Sequence, residues 1–140
     1  MIDQLAHFEK LDPPDEKAKK RLESDALSDH PPYEAFLAYL DNKPVGYITY
    51  FFTYSTFLGK PTLFLEDIFV LENARKKGIG KELFRFCLKE AMRRGCGRLE
   101  WTVLTWNRVA IEFYEQMGGK RLDWYFYRII EEEFEQALDK

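Results

Sequence analysis

The sequence predicts an α/β (α+β) chain, a mixed β-sheet flanked by helices within one domain spanning residues 1–140. Three observations carry this. The chain has 140 residues, of which 46% are hydrophobic and 16% aromatic, and a chain of this size buries roughly 68–70% of its unfolded surface, enough for a core without disulfides or structural metal. Its apolar period is two through residues 33–70 and changes to 3.6 over residues 79–94. Strand-like and helix-like segments alternate in the order ααβββαβαβα, which gives layers around a sheet rather than a bundle or a sandwich.

Residues 2–10 and 15–23 read as short helices, the second with Pro13 and Pro14 before it and Asp15 at its positive end. The cluster Ser28-Asp29-His30-Pro31-Pro32 is a loop. Residues 33–40 and 45–57 read as strands joined by the turn Asp41-Asn42-Lys43-Pro44, and Gly59-Lys60-Pro61 turns into a third strand over residues 62–70. Over residues 79–94, Leu83, Cys87 and Ala91, flanked by Phe84 and Leu88, form the apolar face of a helix. Glu90 and Arg94 form an i, i+4 pair near its end, and Gly95 and Gly97 stop it. A strand over residues 98–105 is expected to lie parallel to residues 62–70 through a right-handed crossover. Asn107 suits the N-cap of a helix ending at Gly118-Gly119, and residues 124–130 (WYFYRII) read as a last strand before an acidic C-terminal helix.

Charge and cysteine usage narrow the function classes. With 21 basic and 24 acidic residues the net charge is −3, which disfavours a surface that tracks nucleic acid. Residues 46–59 are too few and too rich in threonine to cross a bilayer, and no secretory or transit signal precedes them, so a cytoplasmic protein without membrane partners is expected. Cys87 and Cys96 lack CxxC spacing, and His7 and His30 are the only histidines. No metal site is expected, and the thiols are read as reduced residues in or near the core.

Leu71-Glu72-Asn73-Ala74-Arg75-Lys76-Lys77-Gly78-Ile79-Gly80-Lys81 is the most informative stretch. Glycines let a ligand approach the backbone, the first N–H groups of a helix lack internal partners, and four cations surround them, which together suit a phosphate or pyrophosphate. An ordinary strand-to-helix turn with a solvated basic face is the alternative. A Walker loop fails because Glu82 follows Lys81, and a dinucleotide fingerprint fails because Leu83 stands where its third glycine belongs.

Arg75-Lys76-Lys77-Gly78-Ile79-Gly80 resembles the Arg/Gln-x-x-Gly-x-Gly/Ala signature of the GNAT superfamily of acyl-CoA-dependent N-acetyltransferases. LEDIFV before the loop, Trp106-Asn107, and residues 113–119 (FYEQMGG) resemble its diamine (spermidine/spermine or thialysine) branch, and the resemblance covers most of the chain from Tyr33 onward. It implies the GNAT fold, acetyl-CoA as co-substrate, a small primary amine as acceptor, and direct transfer in a ternary complex. It also implies that Ile68, Phe69 and Val70 lie along the pantetheine arm and that Arg75, Lys76, Lys77, Gly78, Ile79, Gly80 and Lys81 surround the pyrophosphate. Asn107 would contact the pantetheine arm.

Amine acylation needs the ammonium to lose a proton and the departing thiolate to be neutralised. Glu66 falls, by strand alternation, on one face with Phe64, Ile68 and Val70, where it borders a wet cleft or is buried at a cost that raises its pKa. A strand-edge carboxylate paired with a Lys or Arg is the alternative. Tyr114 lies about two helical turns beyond Asn107; taken alone it is more simply core filling with a satisfied hydroxyl. The resemblance assigns Glu66 the role of water-mediated base and Tyr114 that of general acid. Glu34, Glu66 and Asp67 are the candidate ammonium partners, although alternation points Asp67 away from Glu66.

The chain departs from the family pattern in three places. No strand precedes the first helix, which leaves a sheet edge to be covered and favours a homodimer. Tyr54-Ser55-Thr56-Phe57 lacks the acidic residue of the polyamine enzymes, so diamines and lysine-like amines fit better than long polyamines. Residues 120–123 are short for the usual hairpin. A non-catalytic acyl-CoA-binding or sensing module is the competing reading.

Overall fold

The computed structural model describes all of residues 1–140. Its elements in chain order are α1 (Ile2–Glu9), α2 (Glu16–Ala26), β1 (Glu34–Leu40), β2 (Lys43–Ser55), β3 (Lys60–Val70), a 3₁₀ turn (Glu72–Ala74), α3 (Ile79–Arg93), β4 (Arg98–Trp101), α4 (Arg108–Gln116), a second 3₁₀ turn (Glu131–Glu133) and α5 (Phe134–Leu138). They fall into two compact units, Met1–Asn107 and Arg108–Lys140.

The first unit holds one four-stranded sheet of order β1-β2-β3-β4. β1 and β2 are antiparallel through the Asp41-Asn42 turn, where both residues have positive φ, and β2 and β3 are antiparallel. β4 runs parallel to β3, with Thr62 opposite Arg98 and Leu65 opposite Trp101. The expected β–α–β unit is therefore present, although β4 stops at Trp101 and not at Thr105. α2 begins one residue after Asp15, which caps it by accepting from the Ala18 N–H at 2.6 Å.

α3 covers one face of this sheet. Leu83, Phe84, Cys87 and Ala91 are its buried stripe, as the 3.6 period requires, while Leu88 stays largely exposed. Beneath the helix lie Ile48, Tyr50, Leu63 and Leu65, nearly or fully excluded from water. Phe86 meets Phe36 of β1 at 4.7 Å between ring centres, and Phe84 meets Trp101 edge-on at 5.3 Å. Each fully buried side chain of this size contributes roughly 1.5–3 kcal/mol, so this layer carries most of the unit's cohesion. Burial also pushes the Cys87 thiol up to about 12, which leaves it an inert filler.

The second unit contains helices and no strand. The expected strand at residues 124–130 is absent: Trp124, Tyr125, Phe126 and Tyr127 are 72–88% exposed and join no ladder. Strand propensity is realised only against a partner strand, and what precedes this segment is α4, not a strand with which it could form a hairpin.

Candidate active site

The sequence of β3 departs from regular alternation at one residue. Thr49 pairs with Asp67 and the next β2 residue, Tyr50, pairs with Leu65, so Glu66 is an extra residue with no partner, a β-bulge. Opposed residues share a face, and the bulge therefore divides β3 differently from the expected pattern. Phe64, Asp67 and Phe69 lie on the face of Tyr47, Thr49 and Phe51, while Leu65, Ile68 and Val70 lie on the α3 face with Ile48 and Tyr50. Glu66 is thus not aligned with Phe64, Ile68 and Val70, because the added residue shifts the period by one. It is exposed, and burial, one of the two settings expected for it, falls on Asp67 instead.

Past Val70 the chain makes the 3₁₀ turn and enters α3 through a backbone that few residue types tolerate. Lys76 has φ 60° and Gly78, the N-cap of α3, has φ 82° with no side-chain capping bond. Without a cap, the N–H groups that open α3 stay available to an anion at the positive pole of the helix. Lys76, Lys77 and Lys81 are all exposed around this end. Gly80 has room for a side chain, since an added Cβ would approach nothing closer than Val70 Cγ2 at 3.9 Å. Gly46 is the opposite case: an added Cβ would stand 2.7 Å from the Phe69 carbonyl oxygen, so the glycine lets β2 and β3 close beneath α3.

Arg75 turns away from the anion site. Its Nε donates to the Val70 carbonyl at 2.9 Å, and its guanidinium lies 5.3 Å from the Phe8 ring and 5.8 Å from the Phe69 ring. The arginine therefore braces α1 against the end of β3.

This bracing sets α1 on the sheet face opposite α3, beside the carboxylates. Ile2, Leu5, Ala6 and Glu9 form the inward stripe of α1, and its last member is an acid. Burial raises the Glu9 pKa, and the charges of Asp67 and Glu66 raise it further. Asp67 is also raised, by burial, against the opposing effect of the Thr49 hydroxyl that donates to it at 3.0 Å. Tyr47 is 7% exposed, and its hydroxyl has no hydrogen-bond partner. That hydroxyl lies near enough to Asp67 to favour its charged form but outside hydrogen-bonding geometry. Glu9 and Tyr47 escaped the sequence reading; the available signal was a glutamate at i+7 of an apolar stripe.

Glu34, Glu66 and Asp67 are not brought together. Glu34 accepts from Arg94 at 2.6 Å and from the Tyr50 hydroxyl at 3.0 Å, which engages both of its oxygens at the far end of α3. Burial and this carboxylate push the Tyr50 phenol far up. An open groove of about 570 Å³ is lined by Phe36, Tyr39, Lys77, Gly78, Lys81 and Phe86, among others. Phe36 pairs with Ile48, which puts this groove on the α3 face, and the sheet separates it from Asp67. Asn107 closes the first unit, its N–H bonded to the Leu104 carbonyl at 2.8 Å. In the second unit Tyr114 is half-buried on α4, with its ring 5.4 Å from that of Phe113.

Comparison with known proteins agrees with this architecture. The profile of the Acetyltransferase (GNAT) family matches residues 2–119. A thialysine N-epsilon-acetyltransferase of Bos taurus is 30% identical over 152 aligned residues, covering 100% of this chain and 89% of its own. The L-ornithine N5-acetyltransferase NATA1 of Arabidopsis thaliana is 43% identical over 68% of this chain, which spans only 42% of that protein's length. Among solved structures, an integron cassette protein from the mobile metagenome of V. cholerae superposes with a TM-score of 0.82 at 23% identity, over 99% of this chain and 87% of that one. An aminoglycoside acetyltransferase from a soil metagenomic sample gives 0.72 at 20% identity, over 93% and 84%; at such identities the likeness is one of fold. No helix is long and apolar enough to cross a membrane. The chain belongs to the Acetyltransferase (GNAT) family and is an N-acetyltransferase.

Proposed function

We propose that residues 1–140 work as one catalytic domain that transfers an acetyl group from acetyl-CoA to a primary amine of a small diamine or lysine-like molecule, by direct attack in a ternary complex. The uncapped start of α3 is the observation that carries the reading: Gly78 in the left-handed region, a vacant side-chain position at Gly80, and Lys76, Lys77 and Lys81 around it. Those residues fit a pyrophosphate, with the β3 backbone at Ile68, Phe69 and Val70 and the Asn107 residue placed along the pantetheine arm. The co-substrate supplies an activated acyl carbon.

Glu66, on its exposed bulge, takes the ammonium proton through water, and Asp67 attracts the cation. The amine nitrogen then bonds the acyl carbon as the carbon–sulfur bond breaks, and the Tyr114 hydroxyl gives its proton to the departing sulfur. The names of the thialysine and ornithine relatives support a short acceptor with two cationic groups. A cytoplasmic homodimer is the expected working form, and the exposed Phe36, Leu37 and Tyr39 on edge strand β1 are consistent with a covered edge.

Acetyl-CoA consumption against a panel of diamines, basic amino acids, polyamines and monoamines tests the reading. Tyr114→Phe is expected to lower turnover by about 10²–10⁴ with CoA affinity unchanged. Full activity in that variant would remove Tyr114 from the mechanism, and absence of thiol release with every amine would leave a chain that only binds acyl-CoA.

A further inference from the structure

β1 is an edge of the sheet, paired with β2 alone, and its seven residues, EAFLAYL, carry none of the devices that keep an edge from pairing again. Folded chains blunt such edges with lysine, proline, a bulge or a charge turned inward. β1 has no lysine and no proline. Its ladder with β2 shifts where Ala38 faces Gly46 and Tyr39 faces Pro44, so the unmatched residue is Val45 of β2 and β1 itself runs unbroken. Its one charge, Glu34, is engaged by Arg94 and the Tyr50 hydroxyl. Further along, Leu37 is 51% and Tyr39 62% exposed, and the open groove of about 570 Å³ runs between this edge and α3.

The order of side chains along β1 decides what fits there. Set antiparallel to a second copy about Leu37, the strand opposes Phe36 to Ala38, Ala35 to Tyr39, and Leu37 to its own counterpart. Each aromatic ring then meets an alanine, and two leucines meet at the axis. Phe36 and Ala38 belong to the α3 face, because Phe36 pairs with Ile48, while Ala35, Leu37 and Tyr39 belong to the other. The two Phe36–Ala38 pairs therefore close the grooves beside Phe86, which already packs on Phe36, and the two Tyr39–Ala35 pairs cover the opposite face. No like charges are opposed, since Glu34 faces Leu40. An unrelated strand would have to reproduce this alternation of bulk, whereas a second copy has it by symmetry. At about 3.4 Å per residue the edge is about 24 Å long, and with layers about 10 Å thick on either side it buries roughly 500 Å² per copy. That reaches the roughly 1,000 Å² in total that a specific interface needs.

We propose that β1 of one chain pairs antiparallel with β1 of a second copy, on a two-fold axis at Leu37, so that two four-stranded sheets become one continuous sheet. The proposal rests on the homodimer reading and supplies its surface and register; acetyl transfer plays no part in it.

Light scattering and cross-linking of the full chain test this. The wild type is expected to show twice the mass of one chain. Leu37→Lys puts two like charges opposite each other at the axis and is expected to show the mass of one chain. Leu37 is half exposed, and an unchanged circular dichroism spectrum and Tm show that the variant is folded. In a Cys96→Ser background, which leaves only the buried Cys87, Leu37→Cys is expected to give a covalent dimer on mild oxidation. Opposed residues of antiparallel strands have Cα atoms about 4.5–5.5 Å apart, within reach of a disulfide. Ala38→Cys, which lies opposite residue 36 and not opposite itself, is expected to give none. A wild type with the mass of one chain would leave the edge to a strand of another protein and overturn both this inference and the homodimer reading. A dimer that persists in a folded Leu37→Lys, or that does not cross-link at residue 37, would overturn the inference while the homodimer reading stands on another surface.

Discussion

Gly80 is a helix position at which neither the free chain nor the expected ligand requires a glycine. It is the second residue of α3, its φ lies outside the left-handed region, and an added Cβ would make only an ordinary contact with Val70 Cγ2 at 3.9 Å. On folding grounds alone alanine is the better residue, because glycine in a helix costs roughly 0.5–1 kcal/mol. Gly80→Ala should therefore stabilise the ligand-free chain, and at about 2–4 °C per kcal/mol for a chain of this size its Tm should rise by about 1–4 °C. The signature that this turn resembles admits alanine at the same place, so CoA should bind Gly80→Ala within about threefold of the parent, well short of the tenfold in Kd that about 1.4 kcal/mol represents. Thermal unfolding without ligand and calorimetry with CoA read the two effects on one protein. A variant that gains Tm but binds CoA more than about tenfold more weakly would refute the reading of residue 80 as the Gly/Ala position of that signature. A variant that loses Tm would refute the claim that Gly80 is dispensable to the fold.

Gly46→Ala should behave in the opposite way. Its Cβ would meet a backbone carbonyl at 2.7 Å, with Val70 and Leu83 at 3.3 and 3.4 Å, and overpacking of this kind costs about 1–3 kcal/mol, seen as a Tm lower by several degrees. Asp67 and Glu9 set a pH dependence whose sign follows from their raised values. Between the ordinary carboxyl value and the raised one the folded state holds more protons than the unfolded, so stability falls as pH rises through that window. Asp67→Asn should flatten this fall and raise the ligand-free Tm at neutral pH, as measured by unfolding across pH 4–8; a steeper fall in the variant would contradict the assignment.

Much of the fold was legible in the sequence because its signals are local. Leu83, Cys87 and Ala91 recur within one element, and the basic turn with Gly78 and Gly80 is contiguous, so periodicity and motif suffice. The bulge at Glu66 escaped because it is a property of two strands counted against each other, and alternation along β3 alone cannot show an unmatched residue. Glu34 looked available on a strand, yet the Arg94 and Tyr50 groups that bind it come from elsewhere in the chain. Glu9 escaped for a similar reason, since its neighbours Asp67 and Glu66 are remote in sequence. Residues 124–130 were over-read: their composition favours a strand, but only a partner makes one.

The unmatched residue in β3 has a consequence for any attempt to improve the protein. Shortening this strand by one residue would leave its ladder with β2 uninterrupted, a backbone closer to the regular geometry that designers favour. The residue removed would be Glu66 alone, and every other side chain would keep its partner and its face, with Asp67 still opposite Thr49. On the proposed mechanism regularity and reactivity thus compete at one position, and a version tuned only for tidy pairing would keep its ladder and lack the proposed base.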